Sequence, residues 1–226
     1  MNTFSNVHCR SLLHIEDDAL WGHTIRQFVQ SWQEYRYLGV ATTAAAGLAL
    51  CHEKHPDVAI VDRQLPDADG FDLALSLANL PRPPRILVLT SRADEVTLFR
   101  AGQACVAGML WKTGPVRELL RTALAEVIAG RRFFPPDVRE AMRMVRSNPV
   151  AFFKILSGRE LSLLPLLCED GADDRVAAET GLSPATVRSH RQHIMAKLDL
   201  HRSADLIRWA AEKGFVDFLH PRRTCV

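Results

Sequence analysis

Residues 56–66 read Pro-Asp-Val-Ala-Ile-Val-Asp-Arg-Gln-Leu-Pro, and this stretch decides the fold. Its apolar core, Val58–Val61, is too short for a helix and suits a strand buried on both faces. It ends on Asp62, and Pro66 and Asp69-Gly70 then turn the chain. Similar short apolar runs lie around it at Ser11–Ile15, Tyr37–Ala41, Ile86–Leu89 and Val106–Leu110. Helical stretches separate them, at about Ala19–Trp32, Thr43–Glu53, Phe71–Asn79, Asp94–Gly102 and Pro115–Ala129. Strand and helix in alternation predict a doubly wound, five-stranded parallel sheet with right-handed crossovers. In such a sheet, ligands sit beyond the carboxyl ends of the strands.

The second half differs. From Gly130 to Leu156 the pattern weakens around Pro135-Pro136, with one short helix expected over Asp137–Val145. Ser157-Gly-Arg-Glu160 is a capping box that opens a helix, and Pro165 should kink it. Asp173 is placed to cap a second helix, which runs to Thr180 and stops at Gly181. Ser183-Pro184 opens a third, reaching about Leu198, and a fourth covers Ser203–Lys213. The expected division is an α/β domain over 1–130, a linker over 131–152 and an all-α four-helix domain over 153–226.

The 226 residues carry a formal charge of +2, unevenly spread. Residues 1–130 hold 12 basic and 14 acidic side chains, and residues 131–226 hold 16 and 12. Any surface for a polyanion therefore belongs to the second half. The chain has no long apolar run and no signal-peptide pattern, so neither a membrane partner nor secretion is expected. The five cysteines, Cys9, Cys51, Cys105, Cys168 and Cys225, form no metal-binding spacing and suit a reducing cytoplasm.

The expected strand ends carry the chemistry. Glu16-Asp17-Asp18 follow the first strand, Asp62 ends the third, Thr90 ends the fourth and Lys112 follows the fifth. On one sheet edge these side chains converge. Clustered carboxylates repel one another unless a cation joins them, and oxygen ligands suit Mg²⁺. A carboxylate beside that metal, with a lysine and a hydroxyl nearby, can attack a phosphoryl group. The plainer reading, acids that merely cap helices and a surface lysine, fits any one residue better than the whole set.

Residues 10–130 resemble a two-component receiver domain, a flavodoxin-like fold. The resemblance is carried by Leu13-His-Ile-Glu-Asp-Asp18, residues 56–66 with Asp69-Gly70, Ile86-Leu-Val-Leu-Thr-Ser91 and Gly108-Met-Leu-Trp-Lys112. It implies that Asp62 is the phosphoacceptor. It further implies that Glu16, Asp17, Asp62 and the main-chain carbonyl of Gln64 hold Mg²⁺ or Mn²⁺. Thr90 would contact the phosphoryl group and Lys112 would pair with it. Asp18 would start a helix, and Gln64 and Arg92 would tune hydrolysis. Chemistry beyond phosphoacceptance and slow self-dephosphorylation is not expected, so the chain is not read as an enzyme. Met109 stands where the family has an aromatic switch residue partnering Thr90. Trp111 is unusual beside the lysine and is expected to pack on the face used for partners or for the other domain. His14, within the first strand, is expected to be a satisfied core imidazole.

The third helix of the second half, Pro184–Leu198, has three basic residues and no acid. Val187, Ile194 and Leu198 form its inward stripe, with Met195 beside them, and Ala185, Arg188, Ser189, Gln192 and Ala196 its outward one. A small, polar, basic face suits the DNA major groove, where Arg reads guanine and Gln reads adenine. Residues 155–216 resemble the LuxR-type helix-turn-helix domain, through Leu156-Ser-Gly-Arg-Glu160, Val176-Ala-Ala, Gly181–His190, Ile194-Met-Ala-Lys-Leu198 and Ala204-Asp-Leu206. Together the domains resemble a NarL/FixJ response regulator. That implies base reading by Arg188, Ser189 and Gln192, and phosphate contacts from Thr186, Arg191 and Lys197. It also implies a sensor histidine kinase as partner, DNA as target and a homodimer on activation. A phosphorylation-independent regulator, with the receiver as a dimerisation platform, is the alternative. Two departures concern the DNA side. The Gly171–Val176 turn is one residue short and carries Asp173-Asp174, acids expected to weaken DNA binding unless they only cap a helix. Thr180 replaces a core leucine.

Overall fold

A computed structural model describes residues 9–102, 105–169 and 172–216. They form two compact units. One comprises residues 9–93 with Arg100–Glu140, and the other Asp94–Phe99 with residues 141–216.

The first unit holds a parallel sheet of β1 (Arg10–Ile15), β2 (Tyr35–Ala41), β3 (Val58–Asp62), β4 (Arg85–Thr90) and β5 (Gly108–Trp111), in the order β2-β1-β3-β4-β5. This is the doubly wound sheet that the alternating pattern predicts. Strands β1, β3 and β4 are buried almost throughout, which is why they read as continuous apolar runs. Beside the sheet stand α1 (Ala19–Gln30), α2 (Ala44–Lys54), α3 (Gly70–Ala78) and α5 (Val116–Ile128), while α4 (Glu95–Ala101) crosses the division between the units in sequence. Leu12, Ile60, Leu87, Leu89 and Leu110 pack on Ile25, Val29, Leu120 and Leu124 of α1 and α5 in one core.

Side-chain caps fix where the helices start. Asp18 accepts from the backbone N–H groups of Leu20 and Trp21 at the head of α1. Asp67, from a later loop, accepts from Ala44 and Ala45 at 2.7 and 2.9 Å at the head of α2. Satisfying these otherwise unpaired donors stabilises each helix by about 1 kcal/mol.

The segment read as a linker is folded. Phe133 bridges to Gly108 in parallel, donating to Ala107 O at 2.9 Å and accepting from Met109 N–H at 3.2 Å. Beyond it, α6 (Pro136–Ser147) outruns the expected Asp137–Val145 helix.

In the second unit α7 (Phe152–Ile155) precedes α8 (Gly158–Glu169), α9 (Asp173–Thr180), α10 (Pro184–Lys197) and α11 (Ser203–Lys213). The last four match the expected helices, and α8 continues through Pro165. The capping box forms: Ser157 N–H donates to Glu160 Oε2 at 2.7 Å, and Glu160 N–H to Ser157 Oγ at 3.3 Å. Leu163, Leu164 and Leu167 of α8 meet Val176, Val187, Ile194 and Leu206 in the core. The α9 start differs from expectation. Its cap is Ala172, without a side-chain bond, and Asp173 lies in the first turn with its carboxylate turned to α10. Cys9, Cys51, Cys105 and Cys168 are free thiols, while Cys225 and Gly171 lie outside the described residues. No described helix is long and apolar enough to cross a membrane.

A Cβ on Gly108 would stand 2.4 Å from Phe133 O, whereas one on Gly158 meets nothing within 4 Å. Gly108→Ala should therefore lower stability by about 1–3 kcal/mol, and Gly158→Ala should leave it unchanged or raise it. Urea unfolding of the two variants checks the contrast.

Candidate functional site

The parallel register brings the strand ends together. Asp62 of β3 pairs with Leu89 of β4, and Thr90 with Trp111 of β5. Ligand oxygens of Glu16, Asp17 and Asp62 all lie within 4.8 Å of one another. Lys112 Nζ sits 2.6 Å from Glu16 Oε2 and 3.1 Å from Asp62 Oδ1. The Lys112 N–H donates to Thr90 O at 2.8 Å, which ties the lysine to the end of β4. Thr90 is buried, and its Oγ1 accepts from Arg92 N–H at 3.1 Å.

This crowding shows in the ionisation. Burial pushes Glu16 up to about 7, the Asp62 charge adds to the rise, and Lys112 opposes it. Burial also raises Asp62, with Lys112 acting against it and Asp17 adding to it. One ammonium does not offset three close carboxylates. A set of oxygen ligands that resists losing its protons fits a hard divalent cation, and the residues present suit Mg²⁺.

The loop after Asp62 folds back tightly. Gly70 N–H donates to Arg63 O at 2.6 Å, and Gln64 bridges to Asp69. A Cβ on Gly70 would lie 2.1 Å from the Asp62 carbonyl oxygen, so only glycine permits this approach. Asp69 caps α3 by accepting from Phe71 N–H and also holds Arg100 Nη1 at 3.0 Å.

Other neighbours were missed or misjudged from sequence. The Trp21 ring lies 5.6 Å from Lys112 Nζ, a cation–π contact that its place on α1, three residues after the capping Asp18, makes possible. His14 is buried as expected, but it is not satisfied. Neither ring nitrogen has a hydrogen-bond partner among the described residues, and Nε2 stands 3.8 Å from Glu16 Oε2. Burial, then Lys112, holds its pKa at about 3, so the imidazole stays neutral. Met109 is fully buried, and Trp111 is half-buried.

On α10, Thr186, Arg188, Gln192 and Lys197 are exposed and Ser189 is partly so. Ser183 caps the helix by accepting from Thr186 N–H at 3.1 Å. Arg191, expected to touch phosphate, is buried instead. Its Nε and Nη2 donate to Asp173 Oδ1 at 3.0 and 2.9 Å, and its Nη1 to Leu167 O at 3.1 Å. Residue 191 lies four after Val187 and three before Ile194, on the inward stripe, so spacing could have found this. Lys197 Nζ donates to Glu160 Oε2 at 2.8 Å. Burial raises the Glu160 pKa, but the bonds from Lys197 and Ser157 outweigh it and bring the value to about 2. Thr180 turns its hydroxyl to Val176 O at 2.6 Å, satisfying it within the helix.

Comparison with known proteins matches both units. Residues 12–124 fit the response regulator receiver domain, and 154–210 the luxR family of bacterial regulatory proteins. The oxygen regulatory protein NreC of Staphylococcus haemolyticus is 34% identical over 90% of this chain and 98% of its own. A putative transcriptional regulator of Pseudomonas aeruginosa is 32% identical over 78% of this chain and 85% of its own. Among solved structures, RcsB of Salmonella enterica serovar Typhimurium, bound to promoter P1flhDC, superposes with a TM-score of 0.63 at 20% identity. It covers 90% of this chain and 98% of its own.

Two expected outcomes test these contacts. Gly70→Ala should displace the Asp62 backbone and cost the first unit about 1–3 kcal/mol, read by urea unfolding beside circular dichroism. Glu160→Gln should cost about 1 kcal/mol of helical-unit stability at pH 7. The folded pKa lies below the ordinary value of 4.5, so the stabilisation is complete above 4.5 and fades as pH falls towards 2. Thermal melts of both forms should therefore converge across that window.

Proposed function

Because this chain belongs to the NarL/FixJ class of response regulators, with a receiver domain and a LuxR-type DNA-binding domain, we propose that phosphorylation of Asp62 controls its activity as a transcription factor. The observation that carries this reading is the ammonium of Lys112, 3.1 Å from Asp62 Oδ1 within the three-carboxylate cluster.

Asp62 attacks as a carboxylate. One of its oxygens forms a bond to the phosphorus of a phosphohistidine on a sensor kinase. The P–N bond breaks, its electron pair returns to the imidazole, and an aspartyl phosphate results. Glu16, Asp17, Asp62 and the Gln64 carbonyl would hold Mg²⁺ or Mn²⁺. The chemistry the metal supplies when bound is neutralisation of charge on the phosphoryl oxygens. Lys112 adds a second positive group aimed at the same atoms, and the Thr90 hydroxyl donates a hydrogen bond to one of them. Repositioning of Thr90 then biases a two-state receiver. Met109, an unbranched and adaptable thioether, repacks where an aromatic ring would swing.

The output is DNA binding by α10. Arg188, Ser189 and Gln192 face bases, and Thr186 faces phosphate. Lys197 donates one N–H to Glu160 and, being exposed, keeps further donors for a phosphate. Arg191 takes no part in contact and holds the helix in place. RcsB has been captured on promoter DNA with this fold, which supports the assignment. A dimer on half-sites about one helical turn apart fits the domain type. The intact acceptor set argues against a receiver that only dimerises.

The test starts from a binding-site selection with the full chain. Affinity for the selected site is then measured with and without acetyl phosphate and Mg²⁺, for wild type and Asp62→Asn. Tightening of tenfold or more is expected for wild type and none for the variant. Equal affinities in all four conditions, with unchanged oligomeric state, overturn phosphorylation control.

A further inference from the structure

Asp173 is the acid that sequence reasoning counts against DNA binding. Its geometry gives it a different part. One carboxylate oxygen, Oδ1, takes two bonds from Arg191, whose side chain is only 10% exposed and whose Nη1 is anchored on Leu167 O. The other oxygen, Oδ2, accepts from Nε of Arg188 at 3.4 Å, and that side chain is 66% exposed. A single carboxylate thus joins two arginines one helical turn apart on α10, one buried and one facing solvent.

The consequence lies in which donors remain outside. An arginine reads guanine through two parallel hydrogen bonds to O6 and N7. Holding Nε from the protein side uses neither terminal nitrogen, so Nη1 and Nη2 of this exposed side chain remain as the pair of donors for a base. The guanidinium is a rigid planar fork, so fixing Nε also restricts the plane of that pair. Less side-chain freedom is then lost on binding. The local charge also differs from a simple count, since Asp173 faces two cations and the trio is net positive.

We propose that Asp173 is a positioning residue for base readout. Its second carboxylate oxygen holds Arg188 in the pose that recognises a guanine, so it sets operator specificity. This rests on the reading of α10 as the recognition helix.

The test uses the full chain and its selected site. Binding is measured for wild type, Asp173→Asn, Arg188→Ala and the double variant, on the site and on versions with each guanine replaced, between 50 and 200 mM salt. Asp173→Asn should lose about tenfold of discrimination, at the same base pair as Arg188→Ala. In the Arg188→Ala background it should add nothing, and the salt slope should stay as in wild type, because no phosphate contact is removed. Circular dichroism checks folding. If loss of the Arg191 partner unfolds Asp173→Asn, Arg191→Met and Asp173→Asn/Arg191→Met give the same comparison without a stranded cation. Uniformly tighter binding by Asp173→Asn on every sequence would mean simple repulsion of the backbone and overturns the proposal. A uniform loss that persists without Arg188 means a purely structural role and overturns it as well. A wild-type chain that selects no sequence defeats the recognition-helix reading and this inference with it. A selective wild type with an indifferent Asp173→Asn defeats this inference alone.

Discussion

Lys112 touches two carboxylates at once, and the receiver is arranged around that contact. Its ammonium bridges Glu16 after β1 and Asp62 at the end of β3, so it spans the sheet position between them and β5. Nothing less than a parallel sheet would bring these residues to one place, because only there do all strands end on the same side. Burial raises both Glu16 and Asp62, and the lysine opposes each rise. The Glu16 carboxyl is therefore held short of full ionisation near neutral pH, a state that a bound divalent cation would relieve. Gly70 completes the arrangement from behind by pressing the loop against the Asp62 backbone.

The second unit uses its charges in another way. Arg191 and Lys197 look like part of a basic surface when the helix is read as a string. In three dimensions Arg191 braces α10 against α8 and α9, and Lys197 braces it against the capping box of α8. The positive charge of this half is therefore a poor measure of its footprint on a polyanion. The polar side chains that face outward are Thr186, Arg188, Gln192, His193 and Lys197, with Ser189 partly exposed.

Much of this was legible in the sequence because the signals are local or periodic. Buried parallel strands read as apolar runs, caps sit at fixed offsets from helix starts, and an acid or a lysine just after a strand lands at a predictable edge. What was not legible depends on pairings between distant residues. No periodicity announces that Phe133 returns to β5, since one bridge has no pattern. The turn of the Asp173 carboxylate towards α10 reflects an unmet need of Arg191, so the acid was misassigned as a cap once Arg191 was assigned to phosphate. Continuing the inward stripe through residue 191 would have corrected both. His14 was recognised as buried, but pattern alone does not reveal that its nitrogens go without partners.

The Phe133 bridge also bears on what the edges of the sheet offer to other chains. β5 ends the sheet, and an end strand offers unpaired N–H and C=O groups to any passing chain. Phe133 takes up two of those groups next to Gly108, on a strand only four residues long. At the opposite end, β2 slips its register against β1 between Leu12 and Leu13, which spoils a straight template. Neither end of the sheet is left as a long regular ladder among the described residues. Strand addition by a second molecule, the usual route from a parallel sheet to fibrous aggregates, is disfavoured at both ends.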